Sequence, residues 1–320
     1  MDEFTLIRQW TRDLPTRPEV LVPAGDDCAV LRVHGADHDW LFKTDAVVEG
    51  VHFTPEAAPE RIGHKALARC LSDLAAMGGL PLAAVITIGL PQVDEAARVQ
   101  KIYAGITELA RRYQMAIVGG ETTRSPGGLF LSVAVWGWVE RGRAILRSGA
   151  RPGDAIFVTG ELGGSAAGKH LDFEPRIREA RWLMQHFDIH AMIDLSDGLA
   201  GDLRHILQAS NVGAELLKRA IPVSRAAKQA ALRASSAKPP LVAALTDGED
   251  FELLFTVSSR DAVTLLDAWK QAFPDVRLTC IGKILAEPVL TLRDRNGVEP
   301  LTLHGFQHFC PSNSSAFPQS

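Results

Sequence analysis

The chain has 320 residues, 46% hydrophobic and 22% charged, with a formal net charge of -4, which is enough for two domains of ordinary size and excludes the basic field that holds nucleic acids or anionic membranes. The acidic start Met1-Asp2-Glu3-Phe4-Thr5-Leu6 offers no secretory signal, and the longest apolar stretch, 80–91, is broken by Pro81 and Gly89 and is too short to span a bilayer. A cytoplasmic protein with a small-molecule partner is expected, its scattered cysteines (Cys28, Cys70, Cys280 and Cys310) reading as reduced thiols because no C-x-x-C pair is present.

Residues 3–13 have helical spacing, with Phe4, Leu6, Ile7, Trp10 and Leu14 toward one side, and 20–31 follows with turn chemistry at Gly25-Asp26-Asp27. Residues 40–48 read as a strand and 59–77 as a helix, with Pro59 near its start and Gly78-Gly79 as its stop. A buried strand (82–90), an amphipathic helix (94–113) and two more strands (115–118 and 129–139) complete the first half. The turn-rich segment 147–154 sets the expected domain boundary near residue 150, giving an N-terminal domain over 1–150 and a C-terminal α/β domain over 151–309. That second half alternates: strand 155–159, a glycine-rich turn, helix 174–187, a strand into Asp194, a helix after Gly198, strand 251–257, helix 260–273 and strand 276–285. The fold class is therefore a two-domain α+β / α/β protein, with a polar tail, 310–320, expected to be disordered.

The informative feature is where the acids sit. Gly25-Asp26-Asp27, Thr44-Asp45, Leu71-Ser72-Asp73-Leu74, Gly119-Gly120-Glu121-Thr122-Thr123 and Ile193-Asp194-Leu195-Ser196-Asp197-Gly198 each place carboxylates beside small residues within apolar sequence. Each acid alone reads equally well as a cap or turn residue. Together they suit magnesium, which takes carboxylates from several segments and bridges them to substrate phosphates, and whose charge offsets the penalty of burying them. A competing signal, Gly163-Gly164-Ser165-Ala166-Ala167-Gly168-Lys169-His170, nearly spells a phosphate-binding Walker loop but lacks the final hydroxyl residue that would meet magnesium.

These segments, with Val48-Glu49-Gly50-Val51-His52-Phe53, Leu146-Arg147-Ser148-Gly149-Ala150 and Gly248-Glu249-Asp250-Phe251-Glu252-Leu253, resemble in order the motifs of the thiamine-monophosphate kinase family across residues 3–309. The resemblance implies the aminoimidazole ribonucleotide synthetase-like fold, an N-terminal domain that pairs across a homodimer, and transfer of the ATP γ-phosphoryl group to thiamine monophosphate. It also implies Mg2+ ligands at Asp27, Thr44, Asp45, Asp73, Glu121, Asp194 and Asp197, ATP contacts at Gly119, Gly120, Arg147 and Ser196, and a thiamine phosphate pocket at His52, Glu249 and Phe306. Asp73, Asp197 and Arg147 would carry the catalytic charge. Taken singly, His52 is equally readable as a structural residue, and Arg147 and Phe306 keep a structural reading as a junction cap and ordinary core. Four positions depart from the family pattern: Lys43 stands where a small hydroxyl residue is usual, Glu121 replaces Asp, Gly164 replaces Asp, and Asp247 replaces Gly. They keep two other readings open, a different acceptor on the same fold and a non-catalytic nucleotide-binding homologue.

Overall fold

The computed structural model describes residues 3–91, 96–233 and 238–306; the tail 310–320 and the start of the helix expected from residue 94 lie outside them. The first half comprises α1 (Glu3–Thr11), β1 (Val20–Val22), β2 (Ala29–Leu31), β3 (His38–Val48), α2 (Pro59–Ala76), β4 (Leu80–Leu90), α3 (Ala96–Arg112), β5 (Ala116–Arg124) and β6 (Phe130–Glu140). Its strands form one six-stranded sheet in the order β1-β2-β3-β6-β4-β5. Neighbours are antiparallel except β4 and β5, which the α3 crossover makes parallel. The strand period of two decides what β3 can offer: Leu41, Lys43, Asp45 and Val47 share the phase that faces inward, while Phe42, Thr44 and Ala46 are exposed on the outer face.

α2 packs on this sheet, on α3 and on elements of the second half, so 13 of its 18 residues are buried. Pro59 suits its first turn, where an amide has no intrahelical partner, and Gly78 ends it at φ +69°, with the Gly78 and Gly79 amides donating to Ala75 O and Leu74 O. The crossing of α2 and α3 is close because it uses glycine twice: a Cβ at Gly63 would overlap the carbonyl of Ile102, and one at Gly105 that of Glu60. β5 runs further than the sequence suggests, through Gly119-Gly120-Glu121 to Arg124. Gly120 lies opposite Ile86, where a Cβ would overlap the Ile86 carbonyl oxygen.

The second half follows with β7 (Ala155–Thr159), a 3-10 turn (Ser165–Ala167), α4 (Lys169–Asp172), α5 (Ile177–His186), β8 (Ile189–Asp194), α6 (Leu199–Ser210), β9 (Gly213–Leu217), α7 (Arg225–Arg233), α8 (Pro240–Thr246), β10 (Leu253–Val257), α9 (Ala262–Ala272), β11 (Leu278–Leu285), β12 (Leu290–Asp294) and β13 (Gly297–Pro300). These strands order as β13-β12-β9-β11-β7-β10-β8, and only β9 and β12 are parallel neighbours. The helix expected over 174–187 starts at Ile177, because Phe173 is extended and Glu174 precedes Pro175, a position that disfavours helical geometry. One apolar core runs from the first sheet through α2, α3 and α5 to Phe157, Phe255 and Trp269; a second fills the opposite face of the seven-stranded sheet under α6 and α8. No described helix is long and apolar enough to cross a membrane.

Candidate active site

Three carboxylates converge where the two sheets meet around α2. Asp27 comes from the turn before β2, Asp73 from the last turns of α2 and Asp194 from the end of β8; all three are buried, and each offers an atom within 4.8 Å of the others. Ser72 Oγ donates to Asp194 Oδ2 at 2.5 Å, and Arg147 Nη2 donates to Asp27 Oδ1 at 2.6 Å. The Arg147 amide donates to Asp26 Oδ2 at 3.1 Å. Lys43 Nζ donates to Asp73 Oδ1 at 2.7 Å and stands 3.9 Å from Asp45 Oδ1. Burial and the neighbouring acids push Asp73 up, and burial with Asp27 pushes Asp194 up to about 7.

Such a group has surplus negative charge to neutralise. Asp27 Oδ2 is buried and has no hydrogen-bond partner among the described residues. Three buried hard-oxygen donors from three segments, one of them unpartnered, fit Mg2+.

The other residues of the expected ligand set are placed differently. Asp45 joins the group through Lys43, whereas Asp197 belongs to a second cluster with Asp202 and His205. Within it Asp202 is already used: its Oδ2 accepts the amides of Asp197 and Gly198 at the start of α6. Burial raises Asp197 to about 6 and lowers His205 to about 4. Thr44 points away from Asp45 by strand alternation, its hydroxyl 3.5 Å from Ser132 Oγ on the outer face. Gly119, Gly120 and Glu121 lie exposed on the edge strand β5, outside both carboxylate groups.

A second polar centre sits further along α2. Lys65 is fully buried, and its Nζ donates to His52 O at 2.6 Å and to both Glu249 oxygens at 2.7 and 2.8 Å, with His170 Nδ1 2.7 Å away. Burial takes Lys65 down to about 8 against the pull of Glu249. Burial alone would raise Glu249, but hydrogen bonding from His170 and the charge of Lys65 bring it to about 2. Glu249 and Phe251 both have positive φ, +55° and +49°, a strained loop held by the Glu249 amide on Ser196 O and the Phe251 amide on Leu195 O. Arg69 spans the two centres, 3.8 Å from Asp45 and 3.9 Å from Glu249. His52 accepts the Val48 amide at Nδ1, and the Phe306 amide donates to Asp197 O, which sets Phe306 beside the Ser196-Asp197 turn.

Lys65 and Arg69 lie outside the motif segments named above. A signal exists in the sequence: Arg61, Lys65, Arg69 and Asp73 recur every four residues, one line along a helix whose last three turns are otherwise mostly Leu and Ala.

The glycine-rich turn is not a Walker loop. Gly163 donates its amide to both oxygens of Asp250, Gly164 donates to Asp247 Oδ2 at 3.0 Å, and Lys169 Nζ is tied to Glu252 at 2.7 Å. The amides and the lysine that would cradle a phosphate are thus engaged by carboxylates. Two departures from the family pattern also meet here, since the acid present at Asp247 bonds the amide of Gly164, where an acid is missing.

Residues 25–139 match the family described as AIR synthase related protein, N-terminal domain, and residues 151–294 match AIR synthase related protein, C-terminal domain. The thiamine-monophosphate kinase of Rhodopirellula baltica is 41% identical over 294 residues, 90% of either chain. That of Escherichia coli K12 is 38% identical over 331 residues, 96% of this chain and 98% of its own. Among solved structures, AaThiL complexed with AMPPCP and TMP superposes with a TM-score of 0.80 at 31% identity, covering 96% of this chain and 97% of that one. The hydrogenase maturation protein HypE in complex with ATP, at 20% identity and a TM-score of 0.68 over 93% and 94% of the two chains, shares the fold.

Proposed function

This chain belongs to the thiamine-monophosphate kinase family, and from that premise we propose that it transfers the γ-phosphoryl group of ATP to thiamine monophosphate, giving thiamine diphosphate and ADP. The bond between the γ-phosphorus and the β,γ-bridging oxygen breaks, and a bond from that phosphorus to a phosphate oxygen of the acceptor forms. That acceptor oxygen is already ionised near neutral pH, so no general base is required and catalysis rests on positioning and charge neutralisation.

The observation that carries this reading is the buried convergence of Asp27, Asp73 and Asp194 with an unpartnered oxygen. Mg2+ held there supplies neutralisation of the phosphate oxygens. Arg147, fixed through Asp26 and Asp27 with its side chain partly accessible, offers a guanidinium to the nucleotide. Ser196, beside Asp197 in the same turn, is our candidate for a further ATP contact. On the acceptor side, Lys65 fixes the carboxylate of Glu249 and the backbone of His52, the pair we assign to thiamine monophosphate together with Phe306. Gly119, Gly120 and Glu121 remain part of the proposed nucleotide side, reached along the edge of β5.

We place the reaction in the cytoplasm and the chain in a homodimer. The open face of the first sheet supports the dimer, for Phe42, Trp136 and Val85 are 49%, 47% and 42% exposed on adjoining strands.

The test is conversion of thiamine monophosphate to thiamine diphosphate with ATP and Mg2+, against a control without acceptor. Product that requires both substrates and Mg2+ is expected. ATP binding without product would favour the non-catalytic homologue. Replacing Asp73→Asn is expected to lower kcat by roughly a hundredfold or more with the far-UV circular dichroism unchanged, and wild-type turnover would remove Asp73 from the metal set.

A further inference from the structure

Lys43 is the one departure from the family pattern that lies inside the carboxylate group. It shares the inward phase of β3 with Asp45, and β3 is paired on both sides, Phe42 with Ala29 and Lys43 with Val135, so the position of its backbone is fixed by the sheet. Its ammonium is 2.7 Å from Asp73 Oδ1 and 3.9 Å from Asp45 Oδ1. Among the described residues no other cationic side chain lies within 4.0 Å of Asp73; Asp45 has Arg69 at 3.8 Å, and Asp27 has Arg147 at 2.6 Å.

We propose that Lys43 is a built-in cation of the site, its ammonium taking the place that a divalent ion would otherwise hold between Asp45 and Asp73. The inference rests on the kinase reading above. Two carboxylates on facing elements, β3 and α2, need a positive charge between them in a buried setting. A divalent ion there would come and go with its concentration, whereas the ammonium is covalently part of the strand and cannot be chelated. Its single charge and its N–H geometry leave Asp27, Asp73 and Asp194 as the group for an exchangeable ion. The site therefore takes one divalent ion fewer than the same site with a neutral residue at position 43.

The experiment counts ions. The purified full-length chain, Lys43→Met and Lys43→Arg are each titrated with Mn2+ in the presence of the non-hydrolysable analogue AMPPCP, and free Mn2+ is read by electron paramagnetic resonance. Lys43→Met is expected to bind one more Mn2+ per chain than the wild type, and Lys43→Arg the same number as the wild type. Equal counts in wild type and Lys43→Met overturn the proposal. Should Lys43→Met fail to fold, anomalous scattering from Mn2+ in wild-type crystals decides: Lys43 Nζ against Asp73 with no ion bridging to Asp45 supports it, and a bridging ion with the ammonium turned away overturns it. Ion counting involves no turnover, so a chain that makes no thiamine diphosphate yet gains one ion in Lys43→Met would sink the kinase reading and leave this inference standing.

Discussion

Lys65 illustrates how a single buried charge can organise a pocket. It has no exposed surface, and its Nζ donates to His52 O and to Glu249 on other segments, with His170 Nδ1 2.7 Å away. Lys65→Met removes the donor that fixes Glu249, so KM for thiamine monophosphate is expected to rise roughly tenfold, about 1.4 kcal/mol, with a much smaller change in KM for ATP. Steady-state kinetics with each substrate varied checks this split. Glu252 is the structural counterpart. It is buried against Lys169, Arg176 and the Thr159 hydroxyl, and although burial would raise it, those cations bring it from 4.5 to about 2. Because the folded value lies below the unfolded one, the stabilisation is full above about pH 4.5 and fades as pH falls toward 2. Glu252→Gln is expected to cost about 3 kcal/mol at pH 7 and much less at pH 3, read from urea unfolding at both. Asp27, Asp73 and Asp194 were legible in the sequence only through the joint pattern of acids beside small residues in apolar segments, since each alone reads equally well as a cap or turn residue. Lys65 and Arg69 were not, since a charge on a helix ordinarily marks a solvated face, and only tertiary packing on every side of α2 makes them interior.

At the scale of elements, α2 is the pillar. Its length, its Pro59 start and its Gly78 stop follow from local rules, and so does the β4-α3-β5 crossover. What local rules do not reveal is proximity: by propensity Gly63 and Gly105 weaken their helices, while in the fold each lets a neighbouring backbone come into contact. Gly63→Ala forces a Cβ onto the Ile102 carbonyl and is expected to destabilise by roughly 2–3 kcal/mol despite the better helix propensity of alanine. Chemical denaturation of wild type and variant reads the difference directly, and a stabilised variant would contradict the close crossing. The late start of the expected helix, at Ile177 beyond Pro175, and the short strands β9, β12 and β13 show the same limit. A strand of four or five residues is visible where its run is continuously apolar, as in β7, and is lost where charged or polar residues interrupt it, as in β9, β12 and β13.

At the scale of the molecule, the carboxylate group and the open sheet face make separate predictions. Mg2+ binding only the folded chain is expected to raise the melting temperature by several degrees, on the order of 3 kcal/mol at a hundredfold excess over Kd. Asp27→Asn should largely abolish that rise in a thermal-shift measurement. Light scattering is expected to report about twice the 34.7 kDa chain mass. Trp136→Glu, which puts a charge at the centre of the open face, should return the mass to that of one chain.

The reach of the hydrogen bond from Ser72 to Asp194, 122 positions along the chain, also bears on how the protein is born. At a synthesis rate of 5–20 residues per second, roughly 6–24 s separate the emergence of Asp73 from that of Asp194. During that interval α2 is made without the strand and helices that later cover one side of it, and the apolar residues of that side are open to water beside Lys65 and Arg69, whose partner Glu249 has not yet been made. The nascent first domain is therefore the aggregation-sensitive stage of this protein's life. A ribosome-bound fragment ending before β8 should call on holdase chaperones more strongly than the finished chain does.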